Sequence, residues 1–326
     1  MNRRQVLGWL SALPWVASGV HAQAASAAFP QRPVTLVNPF PPGSPVDAVA
    51  RPLAQKLQEA WGQSVVIENK SGAGGTLGAE FAARAEPDGY TLLVTSASTH
   101  VIAPVLRPEL RYDANKDFIP IALVAHGPTA IVVHPSVPVH NLSELVAYAR
   151  ANPGKLAYAS SGPGTILHLN GELFSARSGA QLLHVPYRGA VPAATDLLAG
   201  QVQVMFDSIS NSAPHVAAGK LRALAVLMPS RSPLMPDVPT AAEQGFDGLE
   251  FPAWIGLFAP ARTPPEVVQR IIATVREVTA QPDLRERYVQ SGLLPVDVTG
   301  DEFGRVLAAN QQTVADLVRT ADIKLQ

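Results

Sequence analysis

Short apolar, β-branched runs alternate with stretches of helical spacing along almost the whole chain, and this alternation limits the fold more than any other feature. Val34-Thr35-Leu36-Val37 is followed by Val46–Ala60, where Val49, Leu53 and Leu57 recur at helical spacing. Val65-Val66-Ile67 leads through a glycine-rich turn to a helix expected over Leu77–Ala85, and Pro87-Asp88-Gly89 turns the chain into a third strand, Tyr90–Val94. Further strands are expected near Ile119–Val124, Ala130–Val133, Leu156–Ser160, Leu182–Val185, Val202–Phe206 and Leu221–Leu227. Helices are expected over Glu144–Ala151, stopped by Asn152-Pro153-Gly154, and over Ala193–Ala199, stopped by Gly200. Two more, Pro264–Ala280 and about Glu302–Thr320, close the chain. Thr263-Pro264-Pro265-Glu266 reads as a capping box with proline at the first helical position. Strands that are apolar throughout need cover on both faces, so the fold class is α/β, with parallel or mixed sheets sheathed in helices.

A chain of 326 residues is long for one core and suits two lobes of roughly 100–150 residues each. No composition shift marks a linker. Two proline-punctuated apolar strands, Ile121–Val133 and Phe251–Ala259, are instead where the chain passes between lobes. The expected division is a discontinuous first lobe, residues 28–126 with 251–326, a second lobe, residues 127–250, inserted into it, and a cleft between them.

The N-terminus reads as an address. Asn2-Arg3-Arg4 precedes a mostly apolar stretch, Val6–Val20, and then the small-x-small sites Val20-His21-Ala22, Ala22-Gln23-Ala24 and Ala25-Ser26-Ala27. That is the layout of a signal peptide over residues 1–27, too short and broken for a membrane span. Arg3-Arg4-Gln5-Val6-Leu7 also fits a twin-arginine signal loosely. The reading is therefore an exported, soluble protein. Cleavage after Ala24 removes two arginines and no acid, leaving 23 basic against 26 acidic residues. Such a balance offers no field for nucleic acid or an anionic membrane. Cysteine is absent, which excludes disulfides, thiol nucleophiles and thiolate metal sites. Proline, 30 residues or about 9% against a usual value of about 5%, points to many rigid turns.

Four loops are candidates for binding. The best is Pro39-Phe40-Pro41-Pro42-Gly43-Ser44-Pro45-Val46-Asp47, between the first strand and first helix, where open α/β folds take ligands. Ser44 is placed as N-cap, Pro45 as first helical residue and Asp47 as the capping-box acid. A helix start with free N–H groups suits a carboxylate or phosphate, although the same residues also make an ordinary helix cap. A second loop, Ser71-Gly72-Ala73-Gly74-Gly75-Thr76, has Leu77 where a dinucleotide fingerprint needs glycine and no Gly-Lys-Ser/Thr for a P-loop, so it reads as a packing turn. A third, Ser160-Ser161-Gly162-Pro163-Gly164-Thr165, opens a helix carrying His168 and echoes the second, as though each lobe presented one glycine loop to a shared anion. The fourth, Val185-Pro186-Tyr187-Arg188-Gly189, ends a strand and offers a guanidinium for two-point contact with a carboxylate. Phe206-Asp207-Ser208 ends another strand, with Asp207 inclined to cap the helix that follows.

Enzyme signatures are missing. There is no Gly-x-Ser-x-Gly elbow and no His-Glu-x-x-His, and the eight histidines include no i, i+4 pair. Asp113 and Asp117 sit in Tyr-Asp-Ala-Asn-Lys surroundings and read as a solvated turn. No catalytic residue, cofactor or metal ligand is assigned.

The segments RPVTLVNPFPPGSPVD, VVIENKSGAGGTLGAEFAA, PDGYTLL, ELVAYARANPGKLAYASSGPGT, HVPYRGAVPAATDLLAGQVQVMFDS, PHVAAGKLRALAV, PDVPTAAEQG and WIGLFAPARTPPEVV span nearly the whole mature chain. In order and spacing they resemble the substrate-binding proteins of tripartite tricarboxylate transporters, the Bug family of periplasmic receptors. The resemblance implies a two-lobed periplasmic-binding-protein fold of type II-like architecture, closing by hinge motion on a carboxylate held by backbone amides and small hydroxyls. It places ligand contacts at Phe40, Pro41, Pro42, Gly43, Ser44 and Asp47 in one lobe. In the other it places them at Ser161, Gly162, Gly164, Thr165 and His168, with Tyr187, Arg188, Gly189 and Asp207 at strand ends. Ser44-Pro45 stands where the family usually has a second glycine, and Arg188 where lysine is commoner. The implied partners are a small organic carboxylate and the integral-membrane permease, the receptor acting as a monomer. Members take di- and tricarboxylates, amino acids or aromatic acids, so the family leaves the ligand open. Two other readings stay open, a periplasmic enzyme on this fold and a sensor for a signalling partner.

Overall fold

A computed structural model describes residues 29–249 and 253–320. The signal segment expected over residues 1–27 lies outside the described residues. In chain order the elements are β1 (Val34–Asn38), α1 (Pro45–Trp61), β2 (Val65–Asn69), α2 (Thr76–Ala83), β3 (Thr91–Ser96), α3 (Ala103–Leu106), β4 (Phe118–His126), β5 (Thr129–Val133), α4 (Leu142–Ala151), β6 (Ala157–Ser160), α5 (Ile166–Ser178) and β7 (Leu183–Pro186). They continue with α6 (Ala190–Leu198), β8 (Val204–Ser208), α7 (Ile209–Ala217), β9 (Arg222–Leu227), β10 (Trp254–Pro260), α8 (Pro265–Thr279), α9 (Pro282–Gln290), β11 (Leu294–Thr299) and α10 (Gly300–Thr320). No described helix is long and apolar enough to cross a membrane.

The strands form two sheets, one of order β11-β4-β10-β3-β1-β2 and one of order β7-β6-β8-β5-β9. β1 pairs parallel with β2 and β3, whereas β10 inserts antiparallel between β3 and β4. The second sheet is mixed in the same way, with β6 parallel to β7 and β8 and β5 antiparallel to β8 and β9. Only Gly127 and Pro128 separate β4 in the first sheet from β5 in the second, and the chain returns in β10. Gly127 N–H donates to Ala253 C=O at 2.7 Å, which ties the outgoing and returning segments together.

Central strands are buried on both faces, and the period-2 alternation sorts their side chains between two cores. Val34, Leu36, Leu92, Val94 and Leu257 face α1, α8 and α9, while Val37, Leu93, Trp254 and Phe258 face the opposite side with Phe303 of α10. Trp61 Nε1 donates to Thr274 Oγ1 at 3.0 Å and Tyr288 Oη donates to Val49 C=O at 3.2 Å, so the half-buried indole and the buried phenol keep their polar atoms satisfied.

Two local expectations change. α8 begins at Pro265 with Pro264 as its N-cap, and Thr263 donates its hydroxyl back to Pro260 C=O at 2.7 Å instead of making a capping box. The region after α8 holds a further helix and an edge strand, α9 and β11, which weak apolar periodicity and half-exposed side chains concealed. Phe258, fully buried and stacked on His100 with ring centroids 4.0 Å apart, anchors the second core. Phe258→Ala is expected to destabilise the protein by about 3–5 kcal/mol in urea or thermal unfolding.

Candidate functional site

Loops from the two sheets face each other across a cleft, the arrangement that open α/β sheets use for ligands. It encloses a cavity of about 70 Å³, lined from the first sheet by Phe40, Pro41, Ser44, Pro45, Val46, Ser96, Ala97 and Ser98 and from the crossing segments by Gly127, Thr129 and Ala253–Ile255. The second sheet contributes Ser161, Ile166, Leu167, Gly189, Ala190 and Ser208. Among the described residues, no Asp, Glu, Lys, Arg or His lines this cavity.

The loop after β1 folds as its sequence demands. Ser44 is the N-cap of α1, accepting Asp47 N–H at 3.2 Å, and Pro45 opens the helix. Asp47, expected to reach back to the Ser44 amide, braces the loop instead. Its Oδ2 accepts Gly43 N–H at 2.9 Å and Arg51 Nε at 2.7 Å, and its Oδ1 accepts Asn38 Nδ2 at 3.3 Å. Asn38 Oδ1 in turn accepts Phe40 N–H at 3.0 Å. Phe40, Pro41 and Ser44 therefore reach the cavity, while Asp47 sits behind it and Pro42 and Gly43 are exposed.

The loop after β6 divides the same way. Ser161 lines the cavity, joined by Ile166 and Leu167 at the start of α5, which the sequence reading passed over. Gly162 N–H donates to Ser160 Oγ at 3.1 Å, Gly164 N–H to His168 Nδ1 at 3.3 Å, and Thr165 Oγ1 to Gly162 C=O at 2.7 Å. Gly162, Gly164, Thr165 and His168 thus shape the loop from behind. Because His168 Nδ1 accepts, its proton sits on Nε2, which lies 3.8 Å from Glu172 Oε1. Burial, then the neighbouring His184, lowers His168 to about 3, so the ring is neutral. Glu172 also accepts the Tyr158 hydroxyl.

At the end of β7, Tyr187 donates to Asp196 Oδ2 at 2.7 Å. Tyr187 and Arg188 line a separate outer cavity of about 450 Å³, together with Ser71–Gly75 and Ser161–Pro163, and Gly189 borders both spaces. The two echoing glycine loops meet each other, since a Cβ on Gly74 would lie 3.0 Å from Pro163 C=O. The inner cavity instead lies between the first and third loops. Asp207 is fully buried and stays behind the cavity, its Oδ1 accepting Ser208 N–H at 2.8 Å and its Oδ2 Asn211 Nδ2 at 2.7 Å at the start of α7.

Six hydroxyls line the inner cavity, and five are already used as acceptors. Ser44 accepts Asp47 N–H at 3.2 Å, Ser96 accepts Ser98 N–H at 3.4 Å, and Ser98 accepts Ile166 N–H at 3.2 Å. Thr129 accepts Asn170 Nδ2 at 2.9 Å and Ser208 accepts Ser210 Oγ at 3.1 Å. Each keeps its own proton to donate and one lone pair still able to accept. Ser161, the sixth, donates to Thr165 Oγ1 at 3.0 Å. Ser98 belongs to a π-turn, Ser98–Ile102, and its bond to Ile166 crosses the cleft, as does Arg107 Nη2 donating to Pro163 C=O at 2.9 Å. Ser96, Ser98, Thr129, Ser208 and Trp254 escaped the sequence reading. Position was the available signal, because all lie at strand ends or beside the crossing between sheets.

A family model described as the tripartite tricarboxylate transporter family receptor matches residues 49–322. The chain belongs to that family. Periplasmic binding protein BugD is 36% identical with a TM-score of 0.87, over 91% of this chain and 100% of that one. R. palustris Rpa4515, solved with adipate, is 34% identical with a TM-score of 0.87, over 91% and 99%. MatC from Rhodopseudomonas palustris, solved with bound malate, is 36% identical with a TM-score of 0.83, over 89% and 100%. This receptor accordingly has the two-lobed periplasmic-binding-protein fold, and its family comprises solute-binding receptors.

Two groups beside the receptor's cavity give sharp expectations. Ser44→Ala removes the α1 cap and should cost about 1 kcal/mol in denaturant unfolding. Burial raises the Asp207 carboxyl to about 7, against the hydrogen bonds from Asn211 and Ser208. Between an unfolded value of about 3.9 and about 7 the folded chain holds a proton that the unfolded chain has released. This group therefore makes stability fall as pH rises through that window. Asp207→Asn should remove that slope, gaining stability over wild type at pH 8 but not at pH 4.

Proposed function

We propose that this receptor works in the periplasm, where its N-terminal segment directs it, capturing a small organic carboxylate in the cleft and passing it to the membrane permease of a tripartite tricarboxylate transporter. One observation carries the reading: five hydroxyls, each with a proton still free to donate, around a cavity that no charged side chain of the described residues enters. Such a cage suits an anion, whose charge is met by neutral dipoles without the cost of burying a cation. The solved relatives named with adipate and malate fit this class.

In this reading residues 28–126 with 251–326 form one lobe and 127–250 the other, and a single copy of the chain is the working unit. The ligand is bound and released unchanged. Closure follows because a ligand touching both lobes favours the closed form by its differential affinity. Phe40, Pro41, Ser44, Ser161 and Gly189 touch the ligand. Pro42, Gly43, Asp47, Gly162, Gly164, Thr165, His168 and Asp207 hold the loops that do. Tyr187 and Arg188 stand at the outer entrance.

The test is thermal unfolding of the receptor against mono-, di- and tricarboxylates, amino acids and aromatic acids. A ligand at 100 times its Kd should stabilise by about 2.7 kcal/mol, raising Tm by roughly 5 °C. Thr129→Val, which deletes one donor at nearly constant volume, should weaken the best acid about tenfold by calorimetry. A panel without any Tm shift would overturn the proposal.

A further inference from the structure

We propose that Arg107 is a positioning residue for capture: its hydrogen bond across the cleft to Pro163 holds the closed form, so that it sets the affinity for every ligand alike. The inference rests on the carboxylate-receptor reading and on closure of the cleft. Arg107 follows α3 on the side of the first sheet, and Pro163 lies between β6 and α5 of the second. Arg107 Nη2 donates to Pro163 C=O at 2.9 Å, yet the residue lines neither the inner nor the outer cavity. Three residues beyond Pro163, Ile166 N–H donates to Ser98 Oγ at 3.2 Å. The segment Ser98–Arg107 therefore grips the start of α5 twice, once with a donor and once with an acceptor. Both bonds cross the cleft, and opening the cleft breaks them.

The grip has a fixed base and a close approach. Tyr112 Oη donates to Thr99 C=O at 2.6 Å and Gln311 Nε2 to His100 C=O at 2.7 Å, which ties the π-turn down to Tyr112 and to α10. At the contact itself Gly74, with φ +69°, leaves the room that the guanidinium uses. A Cβ on Gly74 would stand 3.0 Å from Pro163 C=O and 3.9 Å from Arg107 Nη2.

Local charge does not explain the placement. The dipole of α5 opposes a cation beside its start. Glu80, which shares a surface groove with Arg107, pairs with Arg84 at 2.7 Å. Among the described residues no carboxylate lies within ion-pairing distance of Arg107. The charge-assisted bond to Pro163 is what the guanidinium gains there. Because Arg107 lies outside both cavities, its effect enters through the population of the closed form. Apparent Kd equals the intrinsic Kd divided by the fraction of binding-competent protein. Losing the bond lowers that fraction by one factor, whichever acid is bound.

The experiment compares wild type with Arg107→Met, which keeps the aliphatic stem and removes the donor, and with Arg107→Lys, which restores one donor. Calorimetry gives Kd, at low and at high salt, for every acid that shifts the wild-type Tm. Pulsed electron paramagnetic resonance gives the ligand-free distance between nitroxides on Val66→Cys of β2 and Leu183→Cys of β7. Both positions are exposed, on edge strands whose following loops line the outer cavity, and the chain has no cysteine of its own. Arg107→Met should raise Kd about tenfold, by the same factor within about threefold for each acid, and lengthen the ligand-free distance. Arg107→Lys should fall between Met and wild type. Kd within twofold of wild type for every acid, or losses that differ tenfold among acids, would overturn the inference and leave carboxylate capture standing. So would a loss that disappears at high salt, since the charge would then be acting at a distance. Ligand-free distances that Arg107→Met leaves unchanged would overturn it whether or not any acid binds. If no acid binds wild type, the carboxylate reading falls separately.

Discussion

The bond from Gly127 N–H to Ala253 C=O holds together the two strands of chain that cross between the sheets, and the site depends on it. Because only Gly127 and Pro128 separate β4 from β5, the second sheet grows directly out of the first. The loops after β1 and β3 are thereby brought opposite those after β6, β7 and β8. Thr129 and Ala253 to Ile255, beside the crossing, form the floor of the cavity. The cleft is a consequence of how the chain passes between its halves, and every contact across it inherits that geometry.

Among the described residues, charge is used behind the cavity and kept out of it. Asp47 gathers Gly43 N–H, Asn38 and Arg51, and Asp207 gathers Ser208 N–H and Asn211. His168, neutral through burial, accepts Gly164 N–H. These groups fix loop shape by local hydrogen bonds, which preorganises the hydroxyls they do not touch. Burying Asp207 has a stability cost that ionisation increases, and the protein tolerates it where the start of α7 meets the cavity.

Much of this was legible along the chain, and the failures have physical reasons. The Ser44-Pro45 helix start could be read because N-cap chemistry is local. The reach of Asp47 could not, because its partners Asn38 and Arg51 lie on β1 and a turn further along α1. α9 and β11 escaped notice since each carries few buried apolar residues, β11 being a half-exposed edge strand. The echo between the two glycine loops was real as sequence, yet the fold presses Gly74 toward Pro163 and puts the cavity elsewhere.

The α/β class, the alternation of elements, the family and the loops that turn toward the cleft can all be read along the chain, because periodicity, capping and turn chemistry act over a few residues. Which residues of those loops face inward is settled by the folded packing. It set β10 between β3 and β4, brought Ser98 across to Ile166, and placed Asn170 against Thr129. Those are relations between residues distant in the chain, and packing alone can settle them.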